Sequence, residues 1–197
     1  TYLHFGSSFN QPLKLGKNVE FLLFGESFNQ PIELNEKLKW LTFGKNFNKK
    51  ITLNENLIDL TFGDNFNQEL ELNRKLKNLV FGHSFNHEIQ LNHNLNKLIF
   101  GNSFNQEIEL NNNLKYLTFG CSFNKPFRLN NNLTNLVLGF RFNQLLELND
   151  ALITLTLDNH FNQPLKLNEG LKNLTLGMAF NHPIELNKNL SYLCFGF

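Results

Sequence analysis

The segment LTFGKNFNKKITLNENLID, residues 41–59, sets the pattern of the whole chain. Its Phe-Asn pair, Phe47-Asn48, is one of ten such pairs that follow one another at intervals of 19 residues without an insertion. A strict period of this length is typical of a repeat protein in which each copy forms one rung of a stack. The sequence therefore predicts that residues 1–197 form a single solenoid domain of ten rungs, with no separate effector domain.

Three apolar positions of the repeat, those of Leu41, Phe47 and Leu53, hold the same residue in every rung. Residues repeated at one register of a solenoid stack on copies of themselves, so these columns are predicted to form the core. The segments around Leu41 and Leu53 both alternate apolar and variable positions, as β-strands do. We expect an all-β solenoid with two short strands per rung.

Glycine and asparagine also hold fixed positions, represented by Gly44, Asn48 and Asn54. The glycine predicts a corner that a side chain would block, and Asp158, its one replacement, suggests left-handed backbone there. Asparagines stacked at strand spacing can pass hydrogen bonds from copy to copy, which predicts an asparagine ladder. We expect the asparagine of each Phe-Asn pair to be buried, and to both donate and accept.

The composition argues against several classes of partner. Lys and Arg number 18 against 17 Asp and Glu, giving a net charge of +1 and no basic field for nucleic acid. No apolar run is long enough to span a membrane. Cys121 and Cys194 lie about four rungs apart, too far for a disulfide, which favours a reducing, intracellular compartment.

The sequence gives little support for catalysis. It contains no nucleophile-elbow or phosphate-loop motif, so we expect no enzymatic activity and no cofactor. His83, His87 and His93 fall close together, but on different parts of the rung. Because metal ligands must converge on one point, no metal site is predicted.

Two groups of variable residues are candidate partner-binding surfaces. The first is an aromatic patch near the N-terminus, where a partner, a further domain or simple shielding of the first rungs would each explain exposed aromatic residues. The second is an acidic patch in the middle of the chain, which suits a basic partner, a cation or a solvated surface. The aromatic patch is Tyr2, Phe21, Leu23 and Trp40, and the acidic patch is Glu69, Glu71, Glu88, Glu107 and Glu109.

Copies such as LLFGESFNQPI at residues 22–32 and LTLGMAFNHPI at residues 174–184 resemble the FNIP repeat. This family is similar to leucine-rich repeats and occurs chiefly in amoebae and in the large DNA viruses that infect them. The resemblance implies a leucine-rich-repeat-like fold and a protein-interaction array. It also implies a location in the cytoplasm of such a host, or in a virion if the chain is viral. The rung here is shorter than the usual family repeat of about 22 residues.

Two functions remain open at this stage. The first is a non-enzymatic scaffold that presents its strand faces to a protein partner. The alternative is a structural protein that stacks end to end into rods or filaments, because neither end of the array carries a polar capping segment.

Overall fold

The computed structural model describes residues 1–196, which form eleven parallel β-strands in a single sheet. Each strand pairs with the next one along the chain, and equivalent residues such as Leu41 and Leu60 lie opposite each other. The all-β solenoid fold is thus confirmed. The strands are β1 (Tyr2–His4), β2 (Phe21–Leu23), β3 (Trp40–Thr42), β4 (Asp59–Thr61), β5 (Asn78–Val80), β6 (Lys97–Ile99), β7 (Tyr116–Thr118), β8 (Asn135–Leu138), β9 (Thr154–Leu157), β10 (Asn173–Leu176) and β11 (Tyr192–Phe195).

Each rung contains one strand, and the expected second strand does not form. The segment at residues 49–53 keeps the predicted alternation, with Thr52 exposed between the partly buried Ile51 and Leu53. However, residues 49–53 make no backbone-to-backbone hydrogen bond in the described part of the chain. The alternation therefore reflects side chains that point alternately into the core and into solvent, and no β-ladder forms. We call this part of each rung the outer segment.

Backbone hydrogen bonds between rungs reach from the sheet to the Phe-Asn corner and end there. Directly before the corner, Asn65 N–H donates to Lys45 O in the preceding rung at 2.9 Å. Directly after the phenylalanine a side chain links the rungs, since Asn67 N–H donates to Asn48 Oδ1 at 3.0 Å. The outer segments that follow are therefore held next to one another by packing and by asparagine side chains.

The core lies between the sheet and the outer segments. Within a rung the rings of Phe43 and Phe47 stack with centroids 3.7 Å apart, and the same pair recurs up to Phe119 and Phe123. The leucine column of Leu41 is buried beside them from β2 to β10. The column of Leu53 is only partly buried, and it belongs to the outer segment, which forms no β-ladder. Apolar stacking from rung to rung thus stabilises the solenoid.

The corner glycines are needed for close approach between rungs. A Cβ at Gly101 would lie 2.0 Å from the carbonyl oxygen of Gly82 in the preceding rung. The expectation of left-handed backbone is wrong, because among residues 1–196 only Gly196 has a positive φ. At the corner that holds Asp158, its amide donates to Leu138 O at 3.1 Å and its carboxylate accepts from Asn159 N–H at 2.6 Å.

Two asparagine ladders run along the solenoid, as predicted, but they use opposite ends of the amide. In the Phe-Asn column the side-chain oxygen accepts, so that Asn105 N–H donates to Asn86 Oδ1 at 2.8 Å. In the other column the side-chain nitrogen donates: Asn92 Nδ2 lies 2.6 Å from Asn73 O and 3.1 Å from Leu76 O. The first column lies at the surface, so the expectation that it is buried is wrong.

Candidate interaction surfaces

The structure brings the predicted aromatic patch together on the solvent side of the sheet. Tyr2, Phe21 and Trp40 occupy the first position of β1, β2 and β3 and lie side by side in register. The rings of Phe21 and Trp40 are parallel, with centroids 4.1 Å apart. Tyr2 lies 6.5 Å from Phe21 and is 63% exposed, while Phe21 is 37% exposed. Leu23 completes the patch at the last position of β2. The result is a continuous apolar surface.

An ion pair borders the aromatic patch. Lys39 Nζ lies 2.8 Å from a Glu20 carboxylate oxygen and 6.0 Å from the centre of the Trp40 ring. The hydrogen bond from Lys39 holds the pKa of the Glu20 carboxyl below its usual value. The carboxylate therefore stays charged as the pH falls, and keeps the ammonium group beside the indole ring. A cation near an aromatic face adds a modest attraction.

The five glutamates of the acidic patch are all exposed and lie on the outer segments. Glu69, Glu88 and Glu107 occupy one column on three successive rungs. Because buried Ile89 separates the outward-pointing Glu88 and Gln90, this surface faces away from the sheet. We call the surface formed by Glu69, Glu71, Glu88, Glu107 and Glu109 the acidic face.

The acidic face does not form a metal site. Within residues 1–196 no three His, Cys, Asp or Glu side chains converge on one point. His83 contacts Asn102, and His87 contacts the backbone carbonyl of Asn67, so these rings bond to neighbouring rungs. No helix in the same residues is long and apolar enough to cross a membrane.

A second charged surface was not singled out from the sequence. Lys97 is the first residue of β6, Lys77 and Lys115 directly precede β5 and β7, and Arg74 and Lys75 occupy the turn before β5. All five are exposed, and we call them the basic face. They do not form one column at the 19-residue period, since Asn96 stands between Lys77 and Lys115. The net charge also gave no sign of them, because basic and acidic residues alternate along the chain and cancel.

The last strand exposes residues that are buried elsewhere in the stack. Phe195 on β11 is 52% exposed, whereas Leu176, at the equivalent position of β10, is fully buried. Leu193 and Leu186 are also exposed, although their columns are core columns in the interior rungs. This edge presents apolar side chains together with the unpaired hydrogen-bonding groups of an edge strand.

Comparison with known proteins identifies the repeat. The family model of the FNIP repeat matches residues 9–46 and 104–131. The crystal structure of CroV588, described as a novel circular LRR protein, superimposes with a TM-score of 0.74 at 33% sequence identity. The match covers 100% of this chain and 40% of CroV588, so the chain spans less than half the length of that protein. No curated protein matches the chain.

The comparisons agree with the geometry. The family match includes the Phe-Asn corner in both halves of the chain. The similarity to CroV588 extends over every rung of the present chain. The fold shares with leucine-rich repeats the single parallel strand per rung. The chain is therefore a leucine-rich-repeat-like solenoid in which residues 9–46 and 104–131 match the FNIP repeat.

Proposed function

We propose that this protein is a non-enzymatic scaffold that binds a protein partner through the solvent side of the sheet, with the aromatic patch as the anchor. Solenoids of the leucine-rich-repeat type are generally protein-interaction scaffolds, and curved stacks of this kind offer extended concave surfaces. The buried columns of this chain repeat from rung to rung, whereas the outward positions of the strands vary. Specificity therefore has to come from those outward positions.

The observation that carries the proposal is the row formed by the exposed Tyr2 and Phe21 and the half-buried Trp40 on the solvent side of the sheet. Aromatic side chains are enriched among the residues that dominate binding energy at protein interfaces. Exposed apolar residues that form a contiguous surface are a mark of an interaction site, whereas scattered ones are not. The parallel strands hold these rings in register before any partner arrives, so little side-chain entropy would be lost on binding.

The test uses peptides selected from a displayed library against the immobilised protein. Trp40 is the only tryptophan in the chain, so its fluorescence reports directly on occupation of the aromatic patch. Selected peptides should change this fluorescence on titration. They should also lose most of their affinity for the Phe21→Ala variant, since a truncated aromatic anchor typically costs at least about 2 kcal/mol.

Tyr116 provides the matched control. It occupies the same strand position on β7 and is 46% exposed, but it lies four strands away from Trp40. The Tyr116→Ala variant should bind the selected peptides like the unmodified protein. Peptides that bind Phe21→Ala normally and leave the Trp40 fluorescence unchanged would show that the interface lies elsewhere.

A further inference from the structure

The middle of the solenoid carries opposite charges on its two sides. The acidic face lies on the outer segments that follow β4, β5 and β6, and the basic face lies along β5, β6 and β7. Along the chain the two sets alternate: Glu69 and Glu71 precede Lys75 and Lys77, which precede Glu88. Coiling at the 19-residue period sorts them, since one segment of each rung faces outward and the other forms the sheet. A nearly neutral chain thereby acquires two charged sides.

These charges are not neutralised within the molecule. The ion pairs in the described residues 1–196 join Glu20 to Lys39 and to the terminal amine of Thr1. No side chain of the acidic face or the basic face takes part in either pair. Like charges on adjacent strands or rungs repel one another. An oppositely charged surface placed against either face would relieve that repulsion.

The spacing of the charges points to a particular partner. Glu69, Glu88 and Glu107 repeat once per rung next to a corner where the Phe66 and Phe85 rings are 6.2 Å apart. Lys77, Lys97 and Lys115 lie one on each of three successive rungs at the strand spacing of about 4.8 Å, with Lys97 one residue further along its rung than the other two. Three carboxylates and three ammonium groups thus extend over nearly equal lengths, of about 12 Å and about 10 Å. Flexible lysine side chains can absorb the difference.

We infer that the acidic face of one copy binds the basic face of a second copy of the same chain. A second copy is a partner whose charges are carried one to a rung by the same solenoid. The acidic face lies on the outer segments and the basic face lies along the sheet and the turn before it, so one face remains available after the other has made a contact. The contact is therefore heterologous, joining two different surfaces along the flanks of the solenoids, and further copies can bind to the complex. It uses a surface separate from both the aromatic patch and the β11 edge.

Ionic strength separates this association from an apolar one. Screening lengths fall from about 30 Å at 0.01 M salt to about 3 Å at 1 M. Sedimentation velocity at low salt should show a weight-average coefficient that rises with protein concentration, and at high salt this rise should disappear. Growth that persists at high salt would show an apolar contact in place of the charged one, and a monomer at both salt concentrations would equally overturn the inference.

Charge reversal provides the decisive arm of the test. The triple variant Glu69→Lys, Glu88→Lys, Glu107→Lys has two basic sides, and the variant Lys77→Glu, Lys97→Glu, Lys115→Glu has two acidic sides. Each alone should associate at least about tenfold more weakly than the unmodified protein at low salt. An equimolar mixture of the two should associate again, because each supplies the face that the other lacks.

A third variant controls for the change in net charge. Glu33, Glu147 and Glu185 are exposed on outer segments of other rungs, and reversing them alters the net charge equally. That variant should retain most of the association. The substituted positions are all exposed, so circular dichroism should be unchanged; the corresponding glutamine variants provide the same comparison with a smaller perturbation. Failure of the mixed charge-reversed variants to associate would refute the contact, while leaving peptide binding at Trp40 unaffected.

Discussion

The two asparagine ladders make a sharp prediction because a single rung contains one member of each. Asn86 and Asn92 lie six residues apart, and both carry a side-chain amide that bonds to a neighbouring rung. Asn86 uses its oxygen, which accepts from Asn105 N–H at 2.8 Å. Asn92 uses its nitrogen, which donates to Asn73 O and Leu76 O. Replacing each by aspartate removes the nitrogen and keeps the oxygen.

We expect the two substitutions to differ by several kcal/mol in the free energy of unfolding. At Asn92 two backbone carbonyls lose their donor, and each unsatisfied group costs about 1–3 kcal/mol, so the total is roughly 2–6 kcal/mol. The new carboxylate oxygen also faces those carbonyl oxygens and repels them. At Asn86 the accepted hydrogen bond is retained, and the change should stay within about 0.5 kcal/mol.

Chemical denaturation followed by circular dichroism measures both effects. The pH dependence adds a second check, because a protonated carboxyl group can donate to a carbonyl. The Asn92→Asp variant should therefore recover stability as the pH falls through the pKa of the new carboxyl group, whereas Asn86→Asp should gain nothing. Equal denaturation midpoints for the two variants, or a larger loss for Asn86→Asp, would refute the assignment of the ladders.

Two further matched pairs test the packing of the rungs. Phe104→Ala should cost about 3–5 kcal/mol, because the ring is fully buried and stacks 3.7 Å from its neighbour Phe100; Phe9→Ala, at a partly buried terminal rung, should cost clearly less in the same melts. Gly101→Ala should destabilise by at least about 1–3 kcal/mol, since its Cβ would overlap the preceding backbone. Gly6→Ala should have almost no effect, because nothing lies within 4 Å of its Cβ; similar thermal midpoints for these two variants would contradict the close approach.

The period of the sequence was sufficient to predict the stacked-rung architecture. It did not show which segments of a rung form backbone hydrogen bonds with the neighbouring rungs. An invariant column such as that of Leu41 shows which residues meet, because identical residues stack at one register. The alternation around Leu53 shows which side chains point into the core. A β-strand and an extended segment without a β-ladder give the same alternation. Only the hydrogen bonds decide between them: backbone bonds between rungs end at the corner, where Asn65 N–H donates to Lys45 O, and residues 49–53 make none.

The candidate surfaces were predictable to different degrees. The aromatic patch could be foreseen because Phe21 and Trp40 occupy one column on adjacent rungs, and columns become neighbours in a parallel sheet. The acidic face could be read in the same way. The position of the acidic face relative to the basic face could not be predicted, since it depends on which segments of the rung form the sheet and which form the outer segments. At the corner glycines the prediction that a side chain would be blocked is confirmed, as at Gly101, whereas the expected left-handed backbone is wrong, because the close approach of the preceding rung is not visible in a sequence.

Hydrogen exchange measured residue by residue tests most directly the claim that one parallel sheet, and the surface it presents, organises the molecule. In a central rung the amides of Asn78, Leu79 and Val80 lie in β5 between two paired strands and should exchange slowly. The amides of residues 87–91, in the outer segment of the same rung, have no backbone partner and should exchange orders of magnitude faster. Equal protection of the two segments would mean that the rung has a second β-ladder, and would contradict this account.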